Sequence, residues 1–280
     1  MKYLNSALFF GTTASTAFAL TASDDASNYA TWNDTDNQGT GFAAWSLNDN
    51  NGSVEAGAVS VFAGNFLGDS TANSGAGDIN TTGQSFGMYA NQDVTSTVNA
   101  FSTAIRSFDS TLNTNDQFTF QLALNYDNGN KGFNIRHYGD TVFGFDIGTG
   151  ARINVGGNYT DSSNIAIYEY GGTSLIDVTI LITSANSLNY QISRTSAEGT
   201  QGMLFSGSVA GIAAQTIEIN NFEFYVSATD NGDAQNNLYV NSLSVSEVPE
   251  PSAYALFAGL AAITLTLSGR RVSATQPLSC

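Results

Sequence analysis

The chain has 280 residues, a formal net charge of −16 and only 11% charged residues. Between its two ends, five basic residues (Arg106, Lys131, Arg136, Arg152 and Arg194) stand against every acidic residue but Glu250, a formal charge of −18. A field of that sign repels nucleic acid and anionic membrane surfaces, which excludes both as partners of this region.

The first element in chain order is Met1–Ala19, MKYLNSALFFGTTASTAFA. Lys2 gives a positive start, an apolar stretch begins at Ala7–Phe10, and Ala17-Phe18-Ala19 is a small-x-small cleavage site. This order of parts predicts a secretory signal peptide, read by the Sec translocon and cut after Ala19, rather than a buried helix. The lone cysteine, Cys280, permits no internal disulfide. A secreted domain here must therefore stand on its hydrophobic core alone.

Asp34-Thr35-Asp36-Asn37-Gln38-Gly39 begins like an EF-hand loop, but position twelve is Trp45 and no helices flank it. Asp34 and Asp36 of the first turn, and Asp230 and Asp233 of the turn before the last strand, read first as ordinary acidic turns; a calcium ion shared between the two turns is the alternative. The stretch from Asn50 to Gly87 is rich in Gly, Ser and Asn and reads as long loops between short strands, Val59–Phe62 and Ser85–Ala90. Within it, Gly68-Asp69-Ser70 matches a serine-esterase motif. A nucleophilic serine needs a base within reach, and His137 is the only histidine, with Asn134 where an Asp is expected. The motif therefore reads as a polar loop.

Alternation dominates from Asp116 onward. Phe118, Phe120, Leu122, Leu124 and Tyr126 share one face. Asp127–Asn130 is a turn signal and Gly132–Tyr138 runs back, which predicts a hairpin. Further strands are Thr141–Ile147, Leu175–Ile182, Leu188–Ile192, Ile217–Val226 and Leu238–Val245. Many short strands with Gly/Asn/Asp turns and almost no helix predict an all-β sandwich of jelly-roll or concanavalin-like type over residues 20–247.

Two features point toward sugars. Glu218-Ile219-Asn220-Asn221-Phe222-Glu223 resembles the E-x-D-x-x-E strand of laminarinase-like glycoside hydrolases, with Asn220 in place of the central Asp. A bulge at Asn220–Asn221 would put both carboxylates on one face, as retaining chemistry requires; a solvent-facing strand edge or turn is the simpler reading. Aromatic rings stack on the apolar face of a pyranose, and Trp32, Trp45, Tyr168 and Tyr170 are the candidates, with Tyr29 beside them. No Cys/His cluster exists for zinc, and no cofactor beyond calcium is expected.

The last element is Val248-Pro249-Glu250-Pro251-Ser252, then an uncharged run of 17 residues from Ser252 to Ser268, then Arg270-Arg271. A helix of that length reaches about 25 Å, marginal for a hydrocarbon core of about 30 Å. Arg270 and Arg271 act as a stop that stays cytoplasmic. The combination over residues 248–271 resembles a PEP-CTERM sorting signal. That resemblance implies recognition by an exosortase, transient anchoring in the inner membrane, and delivery to the cell envelope or extracellular polysaccharide. The tail Val272–Cys280 departs from the pattern, since such signals usually stop soon after the arginines. The body resembles, loosely, a group of PEP-CTERM proteins of aquatic bacteria through Tyr29–Trp32, Gly41–Trp45, Ser85–Ala90 and Leu238–Val245. The expected role is structural or adhesive and non-catalytic, in association with exopolysaccharide. A carbohydrate-binding module is the first alternative and a glycoside hydrolase on Glu218 and Glu223 the second.

Overall fold

The computed structural model describes residues 21–55, 57–71, 77–93, 96–125, 128–148, 151–163, 174–195, 201–210, 218–229 and 236–248; side chains of 160–163, 174 and 201–204 are excepted. The cleavage residues Ala17 and Ala19, Tyr168, Tyr170, Asp230, Asp233, Pro249–Ser252, Arg270 and Arg271 lie outside them. Among the described residues, no helix is long and apolar enough to cross a membrane.

The described strands, in chain order, are β1 (Ala22–Asp24), β2 (Ser46–Asp49), β3 (Val54–Glu55), β4 (Ala58–Val59), β5 (Val61–Gly68), β6 (Ser85–Gln92), β7 (Phe101–Ser107), β8 (Asp116–Leu124) and β9 (Asn130–His137). They continue with β10 (Asp140–Ile147), β11 (Ala151–Val155), β12 (Asn158–Ser163), β13 (Ser174–Ser184), β14 (Ser187–Thr195), β15 (Gln201–Ala210), β16 (Asn221–Ser227) and β17 (Leu238–Glu247). Two antiparallel sheets form an all-β sandwich. The eight-stranded sheet runs β15-β14-β13-β8-β17-β6-β5, with β1 also on β17; the seven-stranded sheet runs β12-β11-β10-β9-β16-β7-β2.

The period-2 pattern explains the layers. Phe143, Phe145 and Ile147 of β10, and Ile176, Val178, Ile180 and Ile182 of β13, are all at most 1% exposed, so each strand gives one face to the core. The two inner faces meet through aromatic pairs: Phe118–Phe222 at 4.9 Å, Phe120–Phe224 at 5.2 Å and Phe143–Tyr190 at 4.4 Å between ring centroids. Each such pair adds about 0.5–1.5 kcal/mol beyond area burial.

The expected β8–β9 hairpin is not formed. β8 pairs with β13 and β17, whereas β9 pairs with β10 and β16 in the other sheet. Both strands bury one apolar face, and a sandwich satisfies them equally well across the core. Phe120 and Phe133 therefore face each other at 4.8 Å instead of lying side by side. Gly41–Trp45 lies outside the strands. It makes a single bridge from Phe42 to Phe108 before β2 begins at Ser46.

The segment before β2 is fastened by Arg106, which is 1% exposed. Its guanidinium pairs with Asp24, and its Nε and Nη2 donate to the carbonyls of Ala43 and Gln38, each at 2.6 Å. It lies 5.0 Å from the ring centroids of Phe42 and Trp45. Burial pushes the Asp24 carboxyl above its ordinary range, against the pull of Tyr29, Asn28 and Arg106. At the other end, the Val248 amide donates to the Asn115 carbonyl at 2.8 Å, so the described chain stays attached to the sandwich up to the first residue of the VPEPS motif.

Candidate functional site

The residues singled out in the sequence divide sharply once placed. Trp32 and Trp45 are 5% and 1% exposed and pack edge-on against each other at 5.3 Å, with Phe86 against both. Stacking on a sugar needs an open ring face, so these two are core residues, and the expectation of glycan stacking there is corrected. Tyr29, 4% exposed, is also core. Asp34 ties the turn to β2, and Asp36 serves its own turn. Asp34 Oδ1 accepts from the Leu47 amide at 3.0 Å, and Asp36 Oδ2 accepts from the Asn33 amide at 2.7 Å. Among the described residues, no group of three or more His, Cys, Asp or Glu is placed to hold a metal ion.

Ser70 is fully buried, and its hydroxyl donates to the Gly77 carbonyl at 2.8 Å. Ile79, whose amide donates to the same hydroxyl, packs with Ala123 and Tyr239 of the eight-stranded sheet. His137 is on the seven-stranded sheet, with Nδ1 2.9 Å from the Glu218 carbonyl oxygen. The bulge at Asn220–Asn221 that a retaining pair would need is not formed. β16 begins at Asn221 and keeps an unbroken register with β7 and β9, so Glu218 precedes the strand and only Glu223 is in it.

Glu223 leads to the site that motif reading missed. With Phe222, Phe224 and Val226 in the core, alternation turns Asn221, Glu223 and Tyr225 outward. The same parity turns out Asn134 and Arg136 of β9, Gly144 and Asp146 of β10, and Arg152 and Asn154 of β11. The register then aligns them. One row crosses all seven strands: Ser46, Ile105, Glu223, Asn134, Gly144, Asn154, Tyr159. The next row is Asn48, Thr103, Tyr225, Gly132, Asp146, Arg152, Ser162. Six strand spacings make each row about 29 Å long.

Each charge on these rows is matched locally. Glu223 Oε2 lies 2.7 Å from Arg136 Nη2 and accepts from Asn134 Nδ2 at 2.8 Å. Asp146, 1% exposed, is paired with Arg152 through Nη2 and through Nε at 2.9 Å, and Tyr225 Oη donates to its other oxygen at 2.8 Å. The Asp146 hydrogen bond raises the Arg152 pKa. Burial, then the charge of Asp146, holds the Tyr225 phenol well above its ordinary range. Arg152 also sits 4.4 Å from the ring centroid of Tyr159, which is 52% exposed.

Three buried polar atoms on this face have no hydrogen-bond partner: Arg136 Nε, Asn154 Oδ1 and Asn221 Oδ1. Asn154 as a whole is only 8% exposed. A buried polar group without a partner costs about 1–3 kcal/mol, so three on one face call for a role. At Gly144, between Asn134 and Asn154, the row has no side chain. A Cβ there would meet Asn134 Oδ1 at 2.5 Å. The result is a floor of amides and ion pairs, with the Asn134 amide lying over buried Gly144 at its centre and a half-exposed aromatic ring at one end.

No family model and no curated protein matches the chain. Solved structures that it resembles include galectin LEC-6 of Caenorhabditis elegans, at 13% identity over 49% of this chain and 86% of that one, TM-score 0.30. Another is a GH131 beta-glucanase catalytic domain from Podospora anserina, at 13% identity over 66% and 80%, TM-score 0.41. A third is arcelin-5, a lectin-like defense protein from Phaseolus vulgaris, at 12% identity over 82% and 100%, TM-score 0.38. Similarity at this level assigns neither a ligand nor an activity to this chain.

Proposed function

We propose that this chain is an exported, non-catalytic β-sandwich of concanavalin-like type that binds glycan on the outer face of its seven-stranded sheet and so serves an adhesive role. One observation carries the reading: Asn154 Oδ1, Asn221 Oδ1 and Arg136 Nε are buried and unpartnered on a single face. Sugar hydroxyls both donate and accept, so they complement an unpaired mixture of acceptors and a donor. The half-exposed Tyr159 ring at the row's end supplies a stacking surface.

The non-catalytic part of the proposal rests on the carboxylates. Glu223 and Asp146 are each engaged by a guanidinium and a second donor, and both belong to the floor of the face. The export and sorting part rests on Met1–Ala19 and on the VPEPS, apolar and Arg-Arg sequence of residues 248–271. An exosortase, with exopolysaccharide as the destination, is the partner this sequence implies.

A glycan array tests the binding proposal. Saturable retention on at least one glycan, lost in Asn154→Ala and Tyr159→Ala proteins that melt like the parent, is the expected result. Retention by neither parent nor variants would overturn it. Deleting the exosortase gene tests the sorting proposal separately, and the full-length precursor should then accumulate in the membrane.

A further inference from the structure

We infer that the glycan bound on the seven-stranded sheet is uncharged, carrying no uronate or sulfate, and that it lies across the strands along the Glu223–Asn134–Gly144–Asn154–Tyr159 row. This inference rests on the glycan-binding proposal and narrows it to a ligand class and a path.

The charges decide the class. An anionic sugar is held by guanidinium or ammonium groups that are not otherwise neutralised. The two arginines on this face are Arg136 and Arg152. The first is held by Glu223 at 2.7 Å and the second by the buried carboxylate of Asp146. Breaking either pair to serve a ligand would leave a carboxylate with little solvent to replace its partner, since those side chains are 9% and 2% exposed. A ligand carboxylate or sulfate would therefore meet Glu223 and Asp146 without a spare cation, inside the field of a chain of net charge −16. The buried atoms left without a partner on this face are neutral or already paired: two amide oxygens and one guanidinium N–H. They suit hydroxyls.

The register decides the path. Asn154 sits directly between Gly144 and Tyr159 in one row. Asn221 and Arg136 are cross-strand partners one step along β16 and β9 from Glu223 and Asn134. The unused groups thus lie on both sides of Gly144, over which the Asn134 amide is folded. The exposed ring lies at one end of the row, on the last strand of the sheet. A chain of several sugars laid across the strands would pass over the residues that carry all of them. One laid along a strand would reach only one side.

The experiment is affinity electrophoresis of the full chain through gels holding neutral polysaccharides (dextran, mannan, xylan, galactan) or anionic ones (dextran sulfate, alginate). Asn154→Ala, Tyr159→Ala and the outside-sheet control Gln191→Ala are run beside the parent. The expected result is retardation by at least one neutral polymer, insensitive to salt. Its Kd should rise about tenfold or more in the first two variants and stay unchanged in the control. Preferential, salt-sensitive retardation by dextran sulfate or alginate that is lost in the row variants would overturn the uncharged class while leaving glycan binding intact. Neutral-polymer retardation unaffected by the row variants would overturn the path. No retardation by any polymer would overturn both this inference and the proposal beneath it.

Discussion

Arg106 and Asp24, 82 positions apart in the chain, form an ion pair whose two side chains are fully excluded from water. The pair fastens the segment leading to β2, and Trp45 and Phe42 stack against the same guanidinium. Arg106→Met should cost about 3–5 kcal/mol, because it leaves the Asp24 carboxyl buried without its cation. The double variant Asp24→Leu/Arg106→Met should cost markedly less than the two single changes summed. Urea unfolding of the four proteins measures this coupling. Strict additivity would show that the pair does not act as a unit.

Tyr225 gives the fold an alkaline limit. Its phenol is held well above the ordinary value of 10.0 by burial and by Asp146. From about pH 10 upward, the folded chain keeps a proton that the unfolded chain has lost. The stabilisation is complete below that pH and disappears as pH rises toward the folded pKa. One such group contributes a fall of about 1.4 kcal/mol per pH unit. Tyr225→Phe should make stability decline less steeply above pH 10 by that amount. Equal slopes in both proteins would refute the assignment.

Ser70 is a fastener. Its hydroxyl donates to Gly77 and accepts from the Ile79 amide at 3.3 Å, which holds Ile79 against Tyr239 and Ala123. Ser70→Ala should lower stability by about 1–3 kcal/mol. It should change no hydrolysis rate on p-nitrophenyl esters. Ester turnover that vanished in the variant would reopen the nucleophile reading.

Gly144→Ala probes the centre of the site. The new Cβ would meet Asn134 Oδ1 at 2.5 Å and the Phe133 carbonyl oxygen at 2.9 Å, forcing Asn134 off Glu223. A destabilisation of about 1–3 kcal/mol is expected, with glycan affinity falling further than that of a surface variant of equal stability. Wild-type affinity would mean that the ligand lies elsewhere.

Hydrolysis is the sharpest alternative to binding. Purified full chain should release no reducing sugar from glucans, with or without Glu218→Gln or Glu223→Gln. Release by the parent that either change abolished would replace the non-catalytic proposal with a glycosidase.

Alternation made the layers legible. Phe143-x-Phe145-x-Ile147 and Ile176-x-Val178-x-Ile180-x-Ile182 each name a core face directly, and both strands are found there. Pairing was less legible. The turn signal after Leu124 marks a reversal, but Phe118–Leu124 and Phe133–Ile135 pattern alike whether they share a sheet or oppose each other. The tryptophans misled because an aromatic ring reads the same in a core as on a surface. The candidate site was visible only as the complement of the core pattern: Asn134 between Phe133 and Ile135, Glu223 and Tyr225 between Phe222, Phe224 and Val226. A signal was present, since Arg136, Arg152, Asp146 and Glu223 concentrate charge on one face of a chain that is otherwise poor in it. Bringing Asn154 beside Gly144 and Tyr159 depends on β9, β10, β11 and β12 being neighbours in one sheet, and no local pattern carries that.

The central claim is that the outer face of the seven-stranded sheet binds glycan through groups it leaves unpaired. Calorimetric titration of the parent and Asn154→Ala with the best-retained neutral polysaccharide tests it most directly. The account predicts saturable binding by the parent, weakened about tenfold or more by Asn154→Ala at unchanged melting temperature. Equal affinity in the two folded proteins would contradict it.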